Sequence, residues 1–334
     1  MAVSPRADAV RLPGFVDVQA AAERLRGFIV RTPMLRHPLL DSLAGGPILV
    51  KPESLQRTGS FKLRGATNAA LLMDPAARRN GIVTVSSGNH GQAMAAAAHM
   101  LGMSALVAMP EDAPRIKVES TKRWGAEILF FDRQGTDRDV LAGRLAAERR
   151  ATLIPPFDHA DVIAGQGTVA LELVEDAKAA GLTVDVLAVP TGGGGLIGGC
   201  ALTMEVLAPS AEVWAVEPEG WDDTRRSREA GRRLANDGTG PELCDSLLAK
   251  QPGALTFAIN RPRLAGGVAV TPPEVLSAMR FAFEHLKLVV EPGGAVALAA
   301  VLTGKLEGRG RVTGIVVSGG NVDPMLFTRA LAEG

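Results

Sequence analysis

The segment Ser60-Phe61-Lys62-Leu63-Arg64-Gly65-Ala66 holds one lysine between a serine-aromatic pair and a glycine that opens an alanine-rich stretch. An amine condenses with an aldehyde only when neutral, so a lysine that forms a Schiff base needs burial or a neighbouring cation to lower its pKa. Phe61 and Arg64 are placed to supply both. Taken alone, the segment reads equally as the start of an amphipathic helix, because solvated lysines far outnumber catalytic ones.

Two further segments shift that balance. Ser86-Ser87-Gly88-Asn89-His90-Gly91-Gln92 follows the apolar run Ile82-Val83-Thr84-Val85 and precedes Ala93-Met94-Ala95-Ala96. The pattern predicts a strand, a polar turn and a helix, whose unpaired first N–H groups and small polar side chains suit an anionic or phenolic oxygen. A helix cap alone needs one such residue, and this turn carries four around two glycines. Thr191-Gly192-Gly193-Gly194-Gly195-Leu196-Ile197-Gly198-Gly199 lies between a second apolar run and an apolar helix through Met204 and Leu207. It reads as a phosphate cradle, since successive glycines let backbone N–H groups close on an anion at a helix N-terminus. A flexible linker would carry polar residues instead.

The glycine segment also parses as G-x-G-x-x-G through Gly193, Gly195 and Gly198, with Glu217 about 20 residues on, the pattern of a dinucleotide site. An NAD-dependent oxidoreductase is therefore a rival reading. Several strand-helix units precede the segment, and the chain has no tyrosine to act as a hydride-transfer acid.

Together with Ser318-Gly319-Gly320-Asn321, these motifs resemble the pyridoxal-phosphate enzymes of the tryptophan-synthase-β fold type, and within them the threonine/serine dehydratases and serine racemases. The resemblance runs from about Leu35 to Pro324. It implies that Lys62 is the Schiff-base lysine beside Phe61, that Asn89 meets the cofactor's phenolic oxygen, and that Gly192, Gly193, Gly194, Gly195 and Leu196 hold its phosphate. Ser318 is then the partner of the pyridine nitrogen. A serine there does not hold the ring firmly protonated, which favours elimination over transamination. Ser87 matches a hydroxyl that exchanges the Cα proton in racemases, and Ser86, Ser87, Asn89 and His90 fall beside the substrate carboxylate. The implied reaction is dehydration and deamination of a hydroxy amino acid such as L-threonine or L-serine to a 2-oxo acid and ammonia, with serine racemisation or 3-hydroxyaspartate dehydration as alternatives.

The resemblance also implies a cation. Glu217, Asp223 and the backbone carbonyl of Trp221 match the ligands of Mg²⁺ or Ca²⁺ in metal-dependent members, and oxygen ligands suit such ions. Arg138 matches an arginine that approaches a second substrate carboxylate, although an exposed helix-start arginine is the plainer role. Phe157 follows the threonine dehydratases, where racemases have asparagine, and Ser246 stands where the family usually has glycine.

Apolar runs at 82–85, 105–108, 128–131, 184–189, 213–216 and 312–317 alternate with helical stretches, which predicts an α/β protein with mostly parallel sheets. The lobes follow from the resemblance: a smaller one at 72–158 inserted in a larger one made of 1–71 and 159–334. A chain of 334 residues, 46% hydrophobic and of formal net charge zero, suits a soluble metabolic enzyme. With 4% aromatic residues and no basic stripe, nucleic acid is an unsuited partner. Two cysteines agree with a reducing compartment, and residues 1–13 carry no apolar leader, so a cytoplasmic protein without membrane contact is expected. A homodimer is expected by analogy. A binding-only relative would have no use for Lys62.

Overall fold

The computed structural model describes residues 11–334 apart from 114, 133, 134 and 307. Residues 1–10, read above as lacking an apolar leader and as the start of the larger lobe, lie outside the described residues. The strands are β1 (Ile48–Pro52), β2 (Ile82–Val85), β3 (Ala105–Pro110), β4 (Glu127–Phe131), β5 (Thr152–Leu153), β6 (Val186–Pro190), β7 (Glu212–Pro218), β8 (Gly266–Val270) and β9 (Thr313–Val317). They form two sheets, ordered β1-β9-β6-β7-β8 and β4-β3-β2-β5, and all named pairings are parallel. The α/β expectation is met.

Strands β1, β6 and β9 are buried along their whole length, as parallel strands covered on both faces must be. The apolar helix Pro292–Leu302 fills the core over the larger sheet. The smaller sheet uses residues 82–153, inside the stretch 72–158 assigned above to the smaller lobe. Cys200 and Cys244 are free and buried. Among the described residues no helix is long and apolar enough to cross a membrane.

Lys62 sits where two cores meet. Phe61 packs with Leu49, Leu196 and Val316 of the larger sheet, whereas Leu63 and Ala66 pack with Met94, Ala97 and Ile154 beside the smaller one. Below that junction lies a buried ionic cluster. The Arg64 guanidinium donates to both oxygens of Glu53 at 2.8 Å and to both oxygens of Glu172 at 2.7 and 2.8 Å. Lys51, also fully buried, pairs with Glu172 at 2.8 Å and donates to the Thr32 carbonyl at 2.6 Å. Two cations thus face two carboxylates, which is how charges persist without water. The cluster ties the first turn of helix Lys62–Leu72 to β1 and to helix Ala160–Ala179.

Candidate active site

A cleft of about 660 Å³ opens between the sheets, within the size range of small-molecule sites. Lys62 lines it, half-buried, with Nζ donating to the Pro156 carbonyl at 2.8 Å and lying 5.1 Å from the centre of the Phe61 ring. Burial pushes its pKa down to about 8, with Glu291 pulling in the opposite direction. As the first residue of its helix, the amine also stands at the positive end of the helix dipole. The proximity expected of Arg64 is corrected here: Arg64 faces the ionic cluster and does not depress Lys62.

The turn after β2 enters the same cleft. Ser86, Ser87, Asn89 and His90 all line it, and Ser86 Oγ accepts from Gly88 N–H at 3.3 Å. Helix Asn89–Met100 begins there without a side-chain cap, so its first N–H groups face the cleft. His90 is buried, and burial, aided by Lys62, pushes its pKa down to about 3. Its Nε2 meets the Ile154 carbonyl at 2.9 Å, so the neutral ring carries its proton on Nε2 and leaves Nδ1 a buried acceptor. A substrate carboxylate would therefore meet backbone N–H groups, not the imidazole.

The glycine segment follows β6. Thr256 Oγ1 donates to the Gly193 carbonyl at 2.8 Å and Asn260 Nδ2 to the Gly194 carbonyl at 3.1 Å. Because a trans peptide sets C=O and N–H on opposite sides, anchoring these carbonyls outward turns the N–H groups of Gly194 and Gly195 inward. Gly194 has φ 90°, open to glycine but strained for other residues, and helix Gly195–Leu207 starts beyond it. A Cβ on Gly193 would lie 2.4 Å from the Phe157 ring, so the aromatic side chain closes directly on the loop. Ser318, buried, follows β9 and lines the cleft near the Phe61 amide, which donates to its carbonyl at 3.1 Å. From β6 the chain runs outward to β7 and β8, then returns to β9 on the other side of β6. The loops after β6 and β9 part at that switch point, where ligands of open α/β sheets bind.

These four motifs, far apart in sequence, surround one cavity with an amine, a glycine cradle and three helix N-termini. The family model described as "Pyridoxal-phosphate dependent enzyme" matches residues 25–319. The chain belongs to the pyridoxal-phosphate-dependent enzyme family. It is 43% identical over 314 residues to an L-threo-3-hydroxyaspartate ammonia-lyase of Pseudomonas sp, covering 94% of this chain and 97% of that one. It is 37% identical over 326 residues to a serine racemase of Schizosaccharomyces pombe, covering 98% and 99%. The solved structure of the serine racemase from Dictyostelium discoideum aligns with a TM-score of 0.87 at 37% identity, covering 93% of this chain and 99% of the other.

Family membership removes the dinucleotide reading, and the structure gives the reason. Glu217, which would have to reach a ribose, is fully buried with its two oxygens accepting from the Thr224 and Arg225 N–H groups at 2.8 and 2.9 Å. Arg138 is exposed as the first residue of helix Arg138–Arg149, yet it also lines the cleft and donates to the Val85 carbonyl at 3.2 Å. Trp221 lines the cleft as well, while Glu217 and Asp223 are fully buried and do not line it. Burial first, and then Asp223, pushes Glu217 up to about 8, and burial pushes Asp223 up to about 7. Asp223 Oδ2 is buried without a partner. Among the described residues no cluster of three or more His, Cys, Asp or Glu side chains could hold a metal.

Sequence reasoning missed Glu291, Lys117 and Asp245, all of which line the cleft. Lys117 and Asp245 form an ion pair across its mouth. Glu291 is 2% exposed, and burial, followed by Asp245, pushes its pKa up to about 7. In sequence Glu291 before Pro292 reads only as an acidic residue at a helix start, with no signal of the cleft.

Proposed function

We propose that this chain is an ammonia-lyase that removes the β-hydroxyl and amine of a 3-hydroxyaspartate. The observation that carries the substrate class is the Arg138 guanidinium in the cleft wall, where a bidentate cation suits a second carboxylate. The similarity to a hydroxyaspartate ammonia-lyase supports the same choice over L-threonine or L-serine. Phe157, which follows the threonine dehydratases where racemases have asparagine, supports elimination over racemisation.

Pyridoxal phosphate, when bound, supplies a carbonyl carbon for amine exchange and a ring that accepts the electron pair released at Cα. The residues that line the cleft suit it: Gly194 and Gly195 N–H groups would hold the phosphate, Asn89 the phenolic oxygen and Ser318 the ring nitrogen. Lys62 would be the residue that holds the cofactor's carbonyl carbon, and its Nζ, neutral at a pKa of about 8, would be the base for the Cα proton. Ser87 stands in the cleft as the second proton carrier, which is where a racemase side activity would originate. The N–H groups at the start of helix Asn89–Met100 bind the α-carboxylate.

A Mg²⁺ or Ca²⁺ at Glu217, Asp223 and the Trp221 carbonyl would draw on the unpartnered Asp223 Oδ2, while both Glu217 oxygens already accept from backbone N–H groups. Two buried carboxylates beside one another, one with an unpartnered oxygen, are the environment a hard cation relieves.

The test is to add pyridoxal phosphate to the purified protein and to Lys62→Ala, record visible absorbance, and assay 2-oxo acid from L-threo-3-hydroxyaspartate, L-serine and L-threonine. A Lys62-dependent band with preference for hydroxyaspartate supports the reading. No band overturns it, and preference for serine or threonine overturns the substrate.

A further inference from the structure

The asparagine side chain is nearly symmetric in shape, so hydrogen bonds alone decide which end of the Asn89 amide faces the cleft. Asn89 Oδ1 accepts from Asn321 Nδ2 at 2.8 Å, and the same Nδ2 donates to the Thr58 carbonyl at 2.8 Å, which fixes Asn321 in turn. Asn89 Nδ2 donates to Glu291 Oε1 at 2.6 Å. The chain of donors therefore runs one way, from Asn321 through Asn89 to Glu291, and leaves the second Nδ2 hydrogen of Asn89 as its open donor. We infer that Glu291 is a positioning residue, whose carboxylate holds the Asn89 amide with its donor end toward the cofactor's phenolic oxygen.

Two features of the fold serve this contact. Glu291 occupies the N-cap position of helix Pro292–Leu302, yet its side chain makes no cap hydrogen bond and reaches Asn89 instead. A Cβ on Gly319 would come within 2.1 Å of Glu291 Oε1, so the glycine after Ser318 makes room for the carboxylate. The groups that face Glu291 are Asn89, Lys62, Lys117 and Asp245, and Asn89 is the one it accepts from.

The inference rests on the reading of Asn89 as a cofactor contact. The test measures pyridoxal-phosphate dissociation constants from the visible band of the wild type, Glu291→Met, Glu291→Gln, Asn89→Ala and the Asn89→Ala/Glu291→Met double variant. Glu291→Met should weaken binding about tenfold, the loss expected of one charge-assisted hydrogen bond, and Glu291→Gln, which keeps the acceptor, should stay within about threefold. On the Asn89→Ala background Glu291→Met should add nothing. Wild-type affinity in Glu291→Met, or effects that multiply in the double variant, overturns the inference while leaving the site intact. Should Glu291→Met not fold, Glu291→Asp keeps the charge but withdraws it by one methylene. It should bind about tenfold more weakly, and wild-type affinity there also overturns the inference. Absence of any Lys62-dependent band in the wild type removes the cofactor reading, and the inference with it.

Discussion

Lys62 Nζ donates to the Pro156 carbonyl at 2.8 Å, so the reactive amine is held against the segment that leads from the smaller sheet back to the larger one. With the pKa pushed down to about 8, the neutral amine becomes the major form two or more pH units earlier than for a solvated lysine. The rate at which apo protein captures pyridoxal phosphate should rise with pH and level off above about 8. A stopped-flow profile that keeps climbing to about pH 10, as an ordinary lysine would, sinks this reading.

Arg138→Met removes the guanidinium that the substrate's distal carboxylate would meet. The kcat/KM for L-threo-3-hydroxyaspartate should fall about 10- to 100-fold, while that for L-serine stays within about twofold. Equal losses on both substrates would assign Arg138 to holding the Val85 carbonyl instead.

The Glu53–Arg64–Glu172–Lys51 cluster is buried and charge-balanced, so removal of one member strands its partners. Glu53→Ala should cost about 3–5 kcal/mol in urea unfolding. Glu333→Ala, which breaks the exposed pair with Arg329, should cost about 0–1 kcal/mol. Similar costs for the two would show that water reaches the cluster.

Gly194→Ala asks an alanine to adopt φ 90° and brings its Cβ within 2.9 Å of Asn260 Nδ2. At about 1–2 kcal/mol for the left-handed backbone, pyridoxal-phosphate binding should weaken about tenfold, read by fluorescence titration. Unchanged affinity would detach this loop from phosphate binding.

If Glu217, Asp223 and the Trp221 carbonyl hold a divalent cation, Mg²⁺ or Ca²⁺ should raise the melting temperature of the wild type by several degrees and leave Asp223→Asn unmoved. A wild-type melting curve indifferent to both ions counts against the site.

The six apolar runs are all strands in the structure, with ends displaced by up to two residues, because short apolar runs bounded by turn residues suit strands of a parallel sheet. Lys51 and Pro52 hide strand β1, since their burial makes sense only once Glu172 is known to approach Lys51. Glycines conceal β8, and β5 has two residues. The motifs that line the cleft are legible from their own chemistry and spacing. Arg64 is misread because its neighbours in sequence do not reveal which way it points. Glu291 escapes because what distinguishes it is Asn89, brought to it only by the fold.

Strand β9 lies between β1 and β6, and β1 is the edge strand beyond it, bridged on its other side by Leu35 at Val50. On a growing nascent chain, β1 therefore emerges early and meets its strand partner in the larger sheet only when residues 313–317 have been synthesised. The strand that joins β1 to the rest of the larger sheet is thus the last one of the chain, so a chain ending before residue 313 lacks both that join and Ser318.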